Sequence, residues 1–592
     1  MTHTTTNGKQ RLHHGRHGSR TAYHFQPAKN WMNGTRSLSQ TSKLRETERC
    51  ICFPFVAGPF YLDGVYHFFY QYNPHSHQFG TGKLSWGHSI STDLVNWTFL
   101  GTALDPTSPF DAEGCWSGSA TVMPDGRPTL LYTGRDANNV QVQNVAFAMD
   151  LSDPFLREWS KPSCNPVIPQ PSDVTGNNFR DPSTAWLGRD GLWRMAVAAE
   201  VDGVGSTVVY RSADFVSWER NAAPLHASAD APVWECPDFF PVRTEHGSTE
   251  GLDTSAAAPG GPGVRHVLKL SKVADEDYYV VGRYDDVADT FVPGEEGGDD
   301  VDVRNWRRID HGHLFGGKTF FDARKKRRVM WAWVDETDNV AKGWTGIQAF
   351  PRALWLDADG KQLVQWPVEE IETLRGRRVA LEGEVIGSGG MHEIAGIDTL
   401  QADVEVVFEI PNLEEAERLS PKWLKDPRRC AEESASTKGG VGPFGLVVMA
   451  SGDMEEKTTV FFRVFEHDGK YKVLMCTDLT RSSTKEGMQK QIYAGFVDVD
   501  VEKDRSISLR TLIDHSVIES FGGGGRACIT ARVYPEHVAT GASSHLYVFN
   551  DGPDAVTVSK LDAWELATAS VNVEDDDSLQ IGVQSPVVVP IQ

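Results

Sequence analysis

Cysteine is scarce in this chain, eight among 592 residues. No C-x-x-C pair occurs, which excludes a disulfide-dense scaffold and offers no pattern for structural zinc. Long apolar runs are missing as well: no stretch approaches the roughly 18 residues that a membrane-spanning helix needs. The first 21 residues, rich in His, Thr, Gly and Arg, lack the apolar segment of a secretory signal. Positive charge is outweighed, with 58 Lys plus Arg against 81 Asp plus Glu and a formal net charge of −23. That sign repels phosphate backbones and anionic lipid, so neither nucleic acid nor a membrane is an expected partner. His13, His14 and His17 read as part of a polar tail, and no metal or other cofactor is expected. What is present is 40% hydrophobic and 23% charged residues with 17 Trp and 55 Gly, enough for a sizeable core.

An internal repeat organises the first half. Ser91-Thr92-Asp93-Leu94-Val95-Asn96-Trp97 returns as Ser212-Ala213-Asp214-Phe215-Val216-Ser217-Trp218, with a looser copy from Ser152 to Trp159, so that Asp93, Asp153 and Asp214 are spaced by 60 and 61 residues. Short β-rich stretches and turn dipeptides such as Asp63-Gly64 and Asp125-Gly126 surround each copy. Four short strands per repeat predict a propeller blade, and the distance to residue 370 leaves room for five. The expected architecture is all-β: a tail over 1–21, a five-bladed propeller over 22–370 interrupted by an anomalous insertion at 34–57, a linker over 371–395, a β-sandwich over 396–570 and a second tail over 571–592. The basic run Arg324 to Arg328 reads as a solvated hairpin turn.

Two carboxylates are flagged by their neighbours. Asp181 follows Arg180 and precedes Pro182, where the guanidinium would keep it ionised. Glu235 lies between Trp234 and Cys236-Pro237, surroundings that would favour its protonated form. One charged and one protonated carboxyl group is the division that glycoside cleavage requires. Trp116-Ser117 and the aromatic run Tyr66 to Tyr72, with Gln71 inside it, offer surfaces for stacking and hydrogen-bonding a sugar; the competing reading for most of these aromatics is propeller core.

Taken together, Trp31-Met32-Asn33, Phe69-Tyr70-Gln71-Tyr72-Asn73-Pro74, Trp116-Ser117-Gly118-Ser119, Phe179-Arg180-Asp181-Pro182 and Trp234-Glu235-Cys236-Pro237-Asp238 resemble the plant acid invertases and fructan exohydrolases of glycoside hydrolase family thirty-two. The resemblance continues through Asp514-His515-Ser516 to about residue 570. It implies a retaining β-fructofuranosidase in which Asp181 stabilises the transition state and Glu235 is the acid/base. Gln71, Phe79, Trp116, Ser117 and Arg180 would line the sugar site. Pro237 resembles the cell-wall branch. The resemblance further implies a Cys430–Cys476 disulfide, a secreted apoplastic location, a sucrose or fructan partner and a proteinaceous inhibitor.

One motif departs from the family. Its nucleophile lies in N-D-P-N-G-P, whereas here Asn33 is followed by residues 34–57 and only then by Gly58-Pro59. In the family's genes that D-P-N tripeptide occupies a very small exon, so a transcript that skips it and retains flanking intron accounts for both the loss and the gain. Asp63 is a poor replacement because Asp63-Gly64 reads as a hairpin turn. Phe79 stands where the family often has a sucrose-contacting Trp, and Ser271 to Asp277 does not reproduce the Asp and Lys that favour sucrose. Three readings stay open: an invertase that is inactive as written, a fructan exohydrolase, and a catalytically dead sugar-binding protein.

Overall fold

The computed structural model describes residues 20–32, 56–78, 81–255, 261–272, 276–294, 302–336, 343–410, 412–434, 440–539 and 544–574. Phe79, the His cluster and all of the 34–57 insertion except Val56 and Ala57 lie outside them. The chain is all-β, a propeller-like arrangement of antiparallel sheets followed by a sandwich-like pair.

Successive sheets are built from adjacent strands joined by short turns. The first sets Val65–Asn73, Ser85–Ser91 and Trp97–Leu104 side by side. The second runs from Gly114–Val122 to Trp159–Ser160, the third from Val174–Arg180 to Glu219–Arg220, the fourth from Trp234–Arg243 to Thr290–Pro293, and the fifth from Leu314–Asp322 to Leu363–Pro367. The sequence repeat is the turn between the third and fourth strands of a sheet. In the first copy, the N–H groups of Val95 and Asn96 donate to Asp93 Oδ1, Leu94 adopts φ 61°, and the Trp97 indole donates to the Leu94 carbonyl. Asp214, Phe215 and Trp218 repeat this bond for bond, and Leu156 with Trp159 repeats the indole contact. A fourth copy lacks the Ser and Trp: Asp285 Oδ1 accepts from Val287 and Ala288.

A second regularity is legible only in three dimensions. The first strand of every one of these sheets slips register against its neighbour, between Val56 and Gly58, Cys115 and Gly118, Val174 and Phe179, Glu235 and Asp238, and Phe315 and Lys318. Such bulges re-aim side chains, and three of them hold Ser117, Glu235 and Lys318. Gly118 is required at its bulge, since a Cβ there would lie 1.9 Å from the Leu131 carbonyl oxygen.

The C-terminal pair of sheets closes on one apolar core that includes Val404, Phe408, Phe444, Phe462, Ile518 and Val548. Here the expected boundaries change. Residues 371–395, read as a linker, carry strands Arg375–Leu381 and Glu384–Ile386 on Val556–Leu566 and Gly390–Glu393 on His545–Asn550. Their charges disguise them. Edge strands face water on several sides, and Arg375 and Arg378 pair with Asp403, Glu405 and Asp562. Val571–Glu574, read as tail, pairs in parallel with the first sheet's strand Trp97–Leu104, and Asn96 Oδ1 accepts from Ser570 N–H. At the other terminus Arg20 lies over Trp344 and donates to the carbonyls of Pro27 and Ala28. The basic run is a turn only in part: Arg327 and Arg328 are buried, Arg327 bonding Asp322 and Glu370.

A buried polar network joins the two halves. Asp514 accepts from the backbone of Ala22, Tyr23 and His24 and from the His24 ring, whose other nitrogen meets Glu519 at 2.9 Å. Arg352 bonds Glu519, Asp310 and Thr530.

Candidate active site

The two flagged carboxylates are brought together. Asp181 is 1% and Glu235 0% exposed; Asp181 directly follows the first strand of the third sheet and Glu235 lies on that of the fourth. Each lies in a turn whose pre-proline residue is strained: Asp181, before Pro182, has φ 64°, and Cys236, between Glu235 and Pro237, has φ 49°, a region that costs a non-glycine residue on the order of 1–3 kcal/mol. The turns touch directly. Cys236 N–H donates to Asp181 Oδ2 at 3.1 Å, and its Sγ lies 3.7 Å from the same oxygen.

The partner of Arg180 differs from expectation. Its Nη2 and Nε donate to Glu235 Oε1 at 2.6 and 3.1 Å, while Asp181 Oδ2 is 3.9 Å from Nε. The guanidinium thus serves the carboxylate across the gap better than the one beside it, whose backbone leaves the extended strand at φ 64°. Burial pushes the Asp181 carboxyl above its usual range, against the pull of Arg180, the Cys236 N–H and Lys318. Asp181 Oδ1 accepts no hydrogen bond among the described residues.

Gln71 and Ser117 are joined, Nε2 to Oγ at 2.9 Å, and Gln71 Oε1 likewise lacks a partner among the described residues. Trp116 is half-buried under the Arg135 guanidinium, 4.7 Å from the ring centroid. Phe79 lies outside the described residues. Cys430 and Cys476 are far from this chemistry in sequence and share a separate buried cluster with Leu474 and Phe465; the expected disulfide between them is not formed, and burial pushes the Cys476 thiol up.

Several contributors carry no local motif. Thr133 Oγ1 accepts from Asp181 N–H at 2.9 Å, Gln143 donates to the Phe179 carbonyl, and Gln141 Oε1 accepts from Phe179 N–H and Arg180 Nη1. The alternation Gln141-Val142-Gln143 on a strand that faces the next sheet was the available signal. Lys318 had none.

The first sheet is interrupted at this site. Asn30–Met32 pairs with Val65–Asn73 at Met32↔Tyr72, and Val56–Leu62 resumes the same edge at Val56↔Tyr70. The chain therefore departs and returns on either side of Gln71. Asp63 is at the other end of this hairpin, in the turn with Gly64 (φ 45° and 96°), roughly 20 Å from Gln71 at about 3.3 Å per residue.

Beside the site, Cys236, Phe315 and Trp333 form one buried cluster. Phe315 and Trp333 also line a cleft of ≈490 Å³ between the two halves, with Tyr278, Trp306 and Tyr493.

Residues 56–367 match the Glycosyl hydrolases family 32 N-terminal domain and residues 370–565 match Glycosyl hydrolases family 32 C terminal. The chain is 64% identical over 566 residues to a beta-fructofuranosidase, insoluble isoenzyme 7, from Oryza sativa subsp. indica, covering 94% of this chain and 90% of that protein. It is 59% identical over 572 residues to a fructan 6-exohydrolase of Triticum aestivum, covering 94% and 91%. Among solved structures, fructan 1-exohydrolase IIa from Cichorium intybus superposes with a TM-score of 0.86 at 46% identity over 94% of this chain and 99% of that one, and a second structure of that protein holds 1-kestose. The paired carboxylates and these full-length similarities lead to one conclusion: the chain belongs to glycosyl hydrolase family 32.

Proposed function

We propose that this chain has the site of a sucrose-hydrolysing β-fructofuranosidase but, as written, lacks the carboxylate that attacks the sugar. The observation that carries the reading is a buried acid pair gathered around Arg180, with Asp181 Oδ1 and Gln71 Oε1 left as acceptors for hydroxyl groups. Glu235 donates a proton to the leaving oxygen as the glycosidic bond breaks, and Asp181 stabilises the oxocarbenium-like fructosyl group. The retaining route also needs a carboxylate that bonds to the anomeric carbon until water, deprotonated by Glu235, displaces it. The first sheet's edge is broken at Gln71, and Asp63 is at the far end of its hairpin. On this reading each of the five sheets to residue 367 is a propeller blade, strands from Arg375 to Leu566 make the sandwich, and the protein is secreted to the cell wall, in keeping with relatives named insoluble isoenzymes.

The test compares sucrose and inulin hydrolysis by the chain as written, by a chain with residues 34–57 replaced by Asp-Pro-Asn, and by the latter with Glu235→Gln. Activity only in the repaired chain supports the proposal. Full turnover by the unrepaired chain refutes it. Cleavage of inulin without sucrose moves the assignment to a fructan exohydrolase. Sugar binding with no hydrolysis even after repair moves it to a dead sugar-binding protein.

A further inference from the structure

We propose that Lys318 is a positioning residue that ties the two catalytic turns into one unit through their proline carbonyls. The inference rests on the reading that Asp181 and Glu235 carry the chemistry. The Lys318 ammonium donates to the Pro237 carbonyl at 2.9 Å and lies 3.5 Å from the Pro182 carbonyl. The side chain is 1% exposed.

The need for such a donor follows from the turns themselves. Each is an acidic segment ending in proline, which brings an acceptor and no N–H, and each belongs to a different sheet, so no ladder of backbone bonds holds one to the other. A buried carbonyl without a donor costs about 1–3 kcal/mol. One ammonium, with three donors, serves both turns and fixes their separation. Among the described residues the two turns also meet through the Cys236 N–H and Sγ on Asp181 and through the Arg180 guanidinium on Glu235.

Lys318 is itself held from both sides. It follows the Gly316-Gly317 bulge, where Gly316 has φ 67°. The N–H groups of Gly316 and Gly317 donate to the two oxygens of Asp277 at 3.1 and 2.8 Å, and Asp277 is locked by Lys269 at 2.8 Å. On the far side Thr319 N–H donates to Asp238 Oδ2 at 2.8 Å. The segment expected to bear on sucrose preference thus contributes Asp277 as a brace for Lys318.

Charge gives the same residue a second effect. The groups facing Asp181 are Arg180 on its own strand, Glu235 and Cys236 on the fourth sheet, and Lys318 on the fifth; Lys269 and Asp238 face Lys318. Burial pushes the Lys318 ammonium down while Asp238, Cys236 and Asp181 favour its charged form. In turn Lys318 favours ionised Asp181. A Lys that merely fills the core would influence neither the spacing of the turns nor this titration.

Two measurements test the proposal independently. In the chain as written, hydrogen exchange of Lys318→Met should rise in peptides covering 179–183 and 234–238 while the outer strands of the same sheets stay protected. In the chain repaired with Asp-Pro-Asn, Lys318→Met should lower kcat by about 10²-fold, the scale of a misplaced catalytic group, leave KM little changed, and move the acid limb of the kcat/KM profile to higher pH. Lys318→Arg keeps a cation without the compact head, so it should lower kcat yet leave the acid limb in place; it also carries the test if the Met variant fails to fold. Unchanged exchange at both turns, or a Met variant with unaltered kcat and acid limb, overturns the proposal. A repaired chain that is inactive with Lys318 intact refutes the functional reading instead, and the exchange experiment still decides whether Lys318 ties the turns.

Discussion

The Arg180 guanidinium donates to Glu235 across 2.6 Å, although Arg180 is covalently joined to Asp181. The bond runs between two sheets, so one side chain connects Glu235 to the Asp181 turn.

Asp181→Asn in the repaired chain is expected to lower kcat by several orders of magnitude. Its folding should be retained, because the Cys236 N–H and the Thr133 hydroxyl still find partners on the amide side chain and on the backbone. Steady-state kinetics and circular dichroism on the same preparation separate the two effects.

Stability should depend on pH through His24 and Glu519. Burial alone would lower His24, but its bonds to Asp514 and Glu519 push it up to about 9 from 6.5. That contribution is complete below about pH 6.5 and is lost as pH rises through 9. Burial would raise Glu519, yet Arg352 and His24 pull it down to about 2 from 4.5. Its contribution is complete above about pH 4.5 and is lost as pH falls towards 2. Tm measured across pH should therefore peak between these limits, and His24→Gln should abolish the decline from pH 6.5 to 9. His24→Ala removes one donor from each of two buried carboxylates, which keep Arg352 and backbone N–H groups as partners, and should cost about 1–3 kcal/mol by urea unfolding.

Gly118→Ala should destabilise the protein by about 1–3 kcal/mol, the range for overpacking, because the new Cβ meets the Leu131 carbonyl and must displace the bulge. The same shift moves Ser117 off Gln71. Thermal unfolding and KM for the repaired chain read the two consequences.

Ending the chain after Ala569 should bare the outer edge of Trp97–Leu104, which Val571–Glu574 now covers. Exposed edges recruit other strands. Size-exclusion chromatography should show concentration-dependent association absent from the full chain.

The sequence by itself determined the strand content, the repeat and its Asp-anchored turns, because these depend on residues a few positions apart: a short carboxylate reaching the N–H groups two and three residues on and an indole reaching back three residues. It also singled out Asp181 and Glu235, whose local motifs survive in one dimension. The charged stretch at 375–393 was misread because edge strands need no apolar alternation. Only the tertiary structure decided that Arg180 serves Glu235, that Thr133, Gln141 and Gln143 fix the Asp181 turn, and that Lys318 lies between two prolines from different sheets. These contacts join residues tens to more than a hundred positions apart, and a lone Lys after two glycines has no local property that says which carbonyls it will meet. Bulges on three first strands hold Ser117, Glu235 and Lys318, and a bulge is a relation between two strands that no single segment contains.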